Sequence, residues 1–184
     1  GESSDGDRGT KTNKKQQAVG RGLRELRLAG CERAVDDKNV LQMLGVLQES
    51  PTLTTVDLGS CAKLTDMSMY NCAIPQGKMQ QKRHPMRQSI KSLNFSGITC
   101  TSSGMEWIAL ACSRLQRLDL SHAKGSGIGF SLRLLSNRIP KLEELILRGC
   151  TSLAAADVRH FFHTTERGGK VRAEQARTLF ESEE

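Results

Sequence analysis

The chain has 184 residues, of which 37% are hydrophobic, 4% aromatic and 26% charged, and its formal net charge is +7. Mean hydropathy is −0.43 and no apolar run reaches the length of a membrane span or a signal-peptide core, so the composition reads as a soluble chain of one-domain size. A pI near 9.3 tilts the partners toward acidic protein or nucleic acid, while the scarcity of aromatics argues against a stacking platform for single strands.

Residues 1–22 hold almost nothing to bury and read as a disordered or loosely docked basic arm. Its Lys11, Lys14, Lys15 and Arg21 suit phosphate or acidic protein, and a solvated tail is the plainer reading. The first residue is Gly1, not Met, which points to a processed or partial chain.

From Leu23 onward one nine-residue pattern recurs five times. The copies are LRELRLAGC from Leu23, LTTVDLGSC from Leu53, IKSLNFSGI from Ile90, LQRLDLSHA from Leu115 and LEELILRGC from Leu142. Each places large apolar residues at its first, fourth and sixth positions and a cysteine or a small or apolar residue at its ninth. The alternation around the fourth position predicts a short half-buried strand. Behind the first copy, Asp36 and Asp37 are N-cap candidates for a helix carrying Val40, Leu41, Met43, Leu44 and Leu47. Pro51 ends that helix, and after the second copy Asp66 stands ready to cap another.

This spacing resembles a leucine-rich repeat. The run C-x-x-L-T-D at Cys61–Asp66, behind L-x-x-V-D-L-x-x-C, narrows the resemblance to the cysteine-containing subclass found in F-box proteins and in relatives with ribonuclease-inhibitor-like folds. Cys112, three residues ahead of Leu115, and Pro51 and Pro140, each two residues ahead of a first leucine, fit the same pattern. The resemblance implies an α/β fold: a short, curved, right-handed leucine-rich repeat solenoid with a parallel sheet on its concave face. It covers residues 23–165 as about five repeats. It also implies a small buried side chain at the ninth position, where Cys31, Cys61 and Cys150 act as compact hydrophobes in a reducing, intracellular setting. No CxxC pair or Cys/His cluster has metal spacing.

The interval of 37 residues between the second and third copies comes from an insertion at 75–89. With two prolines and few apolar residues it reads as a loop, and Lys78, Lys82, Arg83, Arg87 and Lys91 make it the densest basic stretch. Ser102–Ser113 reads as a helix with a serine cap, burying Trp107, Ile108, Ala111 and Cys112. Gly125, Gly127 and Gly129 spell GxGxG without the lysine and hydroxyl of a phosphate loop, so a tight turn into the helix FSLRLLSNRI is the better reading. Ser152 or Asp157 is a cap candidate for a helix carrying Val158, Phe161 and Phe162. His160 and His163 are three apart, but HFFH lacks the glutamate of a zinc protease. Residues 166–184 read as a C-terminal helix able to cap the repeat array with Val171, Ala176, Leu179 and Phe180.

Between the buried positions the strands present outward columns. One reads Glu25, Thr55, Ser92, Arg117, Glu144; the next Arg27, Asp57, Asn94, Asp119, Ile146; the third Ala29, Gly59, Ser96, Ser121, Arg148. Asp57, Asn94 and Asp119 form a polar acidic centre suited to a protein partner and hostile to phosphate. No catalytic group, cofactor site or metal site is assembled by any motif. The expected function is therefore a non-catalytic protein-protein interaction module, a scaffold or structural subunit of a larger assembly, with no membrane and no small-molecule substrate. Two alternatives stand beside it: the substrate-recognition part of an F-box-type ubiquitin ligase, and RNA or nucleoprotein binding through the basic arm and loop.

Overall fold

The computed structural model describes residues 22–47, 52–73 and 89–165. Each copy of the pattern supplies one three-residue strand: β1 Glu25–Arg27, β2 Thr55–Asp57, β3 Ser92–Asn94, β4 Arg117–Asp119 and β5 Glu144–Ile146. A helix follows each strand: α1 Asp37–Leu47, α2 Asp66–Ala73, α3 Ser102–Ala111, α4 Ile128–Arg138 and α5 Ala155–Thr165. Among the described residues the architecture is thus mixed α/β, with one five-stranded sheet and five helices. The arm at 1–21, residues 75–88 of the basic loop and the C-terminal helix expected at 166–184 lie outside the described residues.

The strands pair in chain order, β1-β2-β3-β4-β5, and every pairing is parallel. Parallel neighbours need a crossover, and the helices provide it. Like positions of the pattern stand side by side: Leu26, Val56, Leu93, Leu118 and Leu145 form one row across the sheet. The ladder runs on past the strands, with the Leu28 amide donating to the Asp57 carbonyl at 2.7 Å and the Phe95 amide to the Asp119 carbonyl at 2.8 Å.

The apolar positions of the pattern form the floor of the core. Leu53, Ile90, Leu115 and Leu142 are buried at the first position, and Leu58, Phe95, Leu120 and Leu147 at the sixth. The helices close it with Val40, Leu44, Met69, Met105, Ile108, Leu132, Leu135, Val158 and Phe161. The first copy is the exception. Leu23 is 44% exposed, and Leu26, Leu28 and Cys31 are only partly buried.

At the eighth position every copy turns through the left-handed region: Gly30 at φ 77°, Ser60 at 57°, Gly97 at 72°, His122 at 55° and Gly149 at 66°. Glycine enters that region without steric cost, which explains its use in three copies; serine and histidine hold the same shape under strain.

The helix starts settle one cap left open and move others. At α1, Asp36 is the cap: its carboxylate accepts the Asn39 amide at 2.8 Å while the Asn39 side chain accepts the Asp36 amide at 3.2 Å, a reciprocal cap. Asp37 instead reaches the neighbouring helix. At α2 the hydroxyl of Thr65, not Asp66, accepts the Met67 amide, at 3.2 Å. At α3 the cap is Thr101 and Ser102 is already helical. Asp157 lies inside the first turn of α5, so it too is no cap. At α1 and α2 the second of two adjacent polar residues, Asp37 or Asp66, bonds the start of the next helix, and the residue before it is the cap.

Candidate functional site

The outward columns assemble in the order the alternation predicts: Glu25, Thr55, Ser92, Arg117 and Glu144 lie in one register row, and Arg27, Asp57, Asn94, Asp119 and Ile146 in another. Two ion pairs lie on this face, Glu25 with Arg27 at 2.9 Å and Arg117 with Glu144 across neighbouring strands. Arg148 is exposed beyond β5, while Ser96 is half-buried beside the sheet. Ile146 is 7% exposed, a departure from the outward position expected of it; withdrawal from water is what the hydrophobic effect favours for an aliphatic side chain.

The acidic centre also shapes the turns after the strands. Asp57 accepts the Gly59 amide at 3.1 Å, Asn94 the Ser96 amide at 2.9 Å and Asp119 the Ser121 amide at 2.9 Å. Each side chain bonds its own backbone two residues on, the Asx arrangement that shapes the turn after a strand. A Cβ on Gly59 would come within 2.6 Å of the Ser96 hydroxyl and 2.9 Å of the Asn94 amide, so this row is closely packed.

The ninth-position cysteines are built into the backbone. The Cys61 thiol donates to the Leu28 carbonyl at 3.2 Å and the Cys150 thiol to the Leu120 carbonyl at 3.0 Å, while Ile98 and Ala123 fill the same place by packing alone. None of the six cysteines is disulfide-bonded. Burial pushes the Cys61, Cys72 and Cys150 thiols up, and it pushes Cys100 up to about 12 with a further contribution from the Asp66 carboxylate.

Two aspartates that the sequence offered only as caps bridge successive helices. Asp37 accepts the Thr65 amide at 3.1 Å, the Thr65 hydroxyl at 2.7 Å and the buried Ser68 hydroxyl at 2.5 Å. Asp66 accepts the Thr101 amide at 2.7 Å and the Thr101 hydroxyl at 2.5 Å. Each carboxylate at a helix start thus holds the start of the next helix. The glycine-rich turn is packing as well. A Cβ on Gly125 would come within 1.7 Å of the Cys100 carbonyl oxygen, and one on Gly129 within 2.2 Å of the Asp157 carboxylate. An anion at the start of α4 would meet that carboxylate.

On the helix side, Tyr70 of α2 and Trp107 of α3 pack edge to face with ring centres 5.1 Å apart; Trp107 is half-buried rather than fully in the core. A groove of about 300 Å³ between α3 and α4 is lined by Glu106, Ala109, Leu110, Phe130, Leu134 and Arg138. Sequence reading passed over it, and the signal available was two large apolar residues, Leu110 and Phe130, off the buried stripe of their helices. Lys78, Lys82, Arg83 and Arg87 lie outside the described residues; Lys91 is exposed at the start of β3. His160 is exposed, and the side chain of His163 lies outside the description. Among the described residues no three His, Cys, Asp or Glu side chains gather to hold a metal, and no helix is long and apolar enough to cross a membrane.

No protein-family model matches the chain, and no curated protein matches it. Solved structures do. One is leiomodin-1 actin-binding site 2, with a TM-score of 0.55, 12% identity and 86% of each chain covered. Another is the tropomodulin C-terminal domain of Caenorhabditis elegans, with a TM-score of 0.58, 11% identity, and 86% of this chain and 90% of that one covered. These likenesses correct the subclass assignment: the chain shares its fold with leiomodin and tropomodulin domains, and the F-box-associated, ribonuclease-inhibitor-like reading is withdrawn. The physical reason is visible in the thiols. A ninth-position cysteine is one local solution for filling a slot and meeting a carbonyl, and Ile98 and Ala123 fill the same slot. The fold of the chain is therefore that of the leiomodin-1 and tropomodulin domains.

Proposed function

We propose that the chain is a non-catalytic protein-protein interaction module of the cytoskeleton, a short leucine-rich repeat solenoid whose outward sheet face meets actin. The observation that carries this reading is the likeness of its fold to leiomodin-1 actin-binding site 2 over 86% of both chains. The five copies of the pattern, each one strand and one helix with like positions in register, support the solenoid. The outward polar groups, Thr55, Ser92, Arg117, Glu144 and Arg148, form a rigid, mixed surface on regular elements, the kind that holds a protein partner.

Co-sedimentation with filamentous actin, paired with gel filtration against monomeric actin, tests the reading. The chain is expected to pellet with filaments or to co-elute with monomer, and the change Arg117→Glu together with Arg148→Glu is expected to weaken the complex about tenfold, close to 1.4 kcal/mol. Absence of both complexes at actin concentrations up to about 100 μM, where an interaction of about 5.5 kcal/mol would be detected, rejects it.

A further inference from the structure

Cysteine holds the ninth position in three of the five copies, and two of those three copies are neighbours. The β1–β2 register sets Arg27 opposite Asp57. The ladder continues past it, with the Leu28 amide on the Asp57 carbonyl at 2.7 Å and the Gly30 amide on the Gly59 carbonyl at 2.8 Å. Both copies then turn through the left-handed region, at Gly30 and Ser60. Cys31 and Cys61 are therefore register partners in two like turns, stacked at the sheet spacing of about 4.8 Å.

The Leu28 carbonyl records the same closeness, since it accepts the Cys31 amide at 3.2 Å and the Cys61 thiol at 3.2 Å. Burial pushes the pKa of the Cys61 thiol up, the Cys31 amide facing its sulfur pulls it down, and a charge on the Cys31 sulfur pushes it up again. In the fifth copy Cys150 bonds the Leu120 carbonyl in the same way, but its register neighbour is Ala123, so the adjacent ninth position offers no thiol. Access also singles out this pair. Cys31 is half-buried between exposed residues, Gly30 and Glu32, and a Cβ on Gly30 would meet nothing within 4 Å. The other five cysteines are 2% exposed or less. A disulfide spans Cα atoms about 4.4–6.8 Å apart, which the stacked turns satisfy, and Cβ atoms about 3.8 Å apart, which asks for an approach of about 1 Å. The first copy has the freedom to make it, because Leu26 and Leu28 are only partly buried.

We infer that Cys31 and Cys61 are an oxidation site, a dithiol that a hydroperoxide converts to a disulfide, with Cys31 meeting the oxidant and Cys61 resolving it. The Cys31 thiolate attacks one peroxide oxygen and the O–O bond breaks. Cys31 becomes a sulfenic acid, and the other oxygen leaves as water or an alcohol. The Cys61 sulfur then gives up its proton and attacks the sulfenic sulfur. The S–O bond breaks, and hydroxide takes that proton and leaves as water. Two electrons pass from the two thiols to the peroxide. The bond ties the first copy to the second across about 30 residues of chain, in exchange for the hydrogen bond of Cys61 to Leu28, and a dithiol reductant reverses it. The inference does not rest on actin binding.

The test treats the full, native chain with equimolar hydrogen peroxide, blocks the remaining thiols with N-ethylmaleimide and maps the peptides by mass spectrometry without reduction. Isotope-labelled and unlabelled chains are mixed beforehand, so that links within a copy and between copies differ in mass. The expected product is a Cys31–Cys61 disulfide within one copy, with the other cysteines carrying maleimide and dithiothreitol restoring both thiols. In Cys61→Ser, whose hydroxyl can still meet the Leu28 carbonyl, dimedone is expected to capture the Cys31 sulfenic acid at least tenfold more than in the parent chain. Should that variant fail to fold, the parent map decides alone. Cys31 left reduced, Cys31 captured by dimedone in the parent chain while Cys61 takes maleimide, or a Cys31 link between copies overturns the inference. So does a Cys31–Cys61 bond that forms only in urea.

Discussion

Five turns, one at the eighth position of each copy, share a left-handed backbone, and two of them hold it with side chains ill-suited to it. Ser60 and His122 carry positive φ values of 57° and 55°. For such residues that conformation costs roughly 1 kcal/mol. Ser60→Gly is therefore expected to raise stability by about 0.5–1 kcal/mol, and Gly97→Ala to lower it by at least as much, read as shifts of the urea midpoint at constant slope. His122 is a poorer site for the same change, because its ring lies over Gly149, where a Cβ would sit 2.3 Å from the imidazole nitrogen. Buried thiols give a second residue-scale expectation. Cys61, Cys100 and Cys150 are buried with raised pKa values, whereas Cys31 is half-exposed. A maleimide reagent followed by peptide mass spectrometry should label Cys31 first in the native chain. Because folding raises these thiol pKa values, their contribution to stability is complete below the ordinary thiol value. It is lost as pH rises from about 9 toward the folded value near 12 for Cys100. Urea midpoints measured across that window should fall with pH, and Cys100→Ala should make the fall shallower.

At the scale of elements, the junctions between helix starts carry the specificity. Asp37 accepts three hydrogen bonds from the start of α2, one from the buried Ser68 hydroxyl. Removing the carboxylate leaves those donors without it, so Asp37→Ala is expected to cost about 2–3 kcal/mol by urea denaturation. Asp36→Ala removes only a cap and should cost about 1 kcal/mol; equal losses would contradict the division of labour between them. The contrast also marks where sequence reading stops. The strands were legible because the period-two alternation around Leu26, Val56, Leu93, Leu118 and Leu145 admits one register that buries the leucines. The caps of α2 and α3 were misplaced by a residue, and that of α1 was left between Asp36 and Asp37, because the adjacent polar residues of each pair, Thr65 and Asp66 or Thr101 and Ser102, carry equally good local signals. The choice within each pair is made by a partner about thirty residues away.

Across the whole molecule, order in the sequence becomes order in space: each strand lies beside the next in the chain and each helix beside the next helix. That is why five copies of a nine-residue pattern revealed the parallel sheet, and why they misled about the subclass. The pattern records which positions are buried, whereas subclass is carried by sequence detail that the ninth-position slot does not demand. The outward face was legible as columns of residues, but the bond that two of its acids, Asp57 and Asp119, each accept from their own backbone is local and alternation alone does not reveal it. The outward face is mixed in charge, and it is the face proposed above to meet actin. Hydrogen exchange of the full chain, followed by peptide mass spectrometry with and without filamentous actin, tests that assignment most directly. The account predicts slower exchange in peptides spanning β2 to β5 and their turns, with the α3–α4 groove unchanged. Exchange unaltered by actin in every sheet peptide, or protection confined to the basic stretch and abolished by added salt, would contradict it.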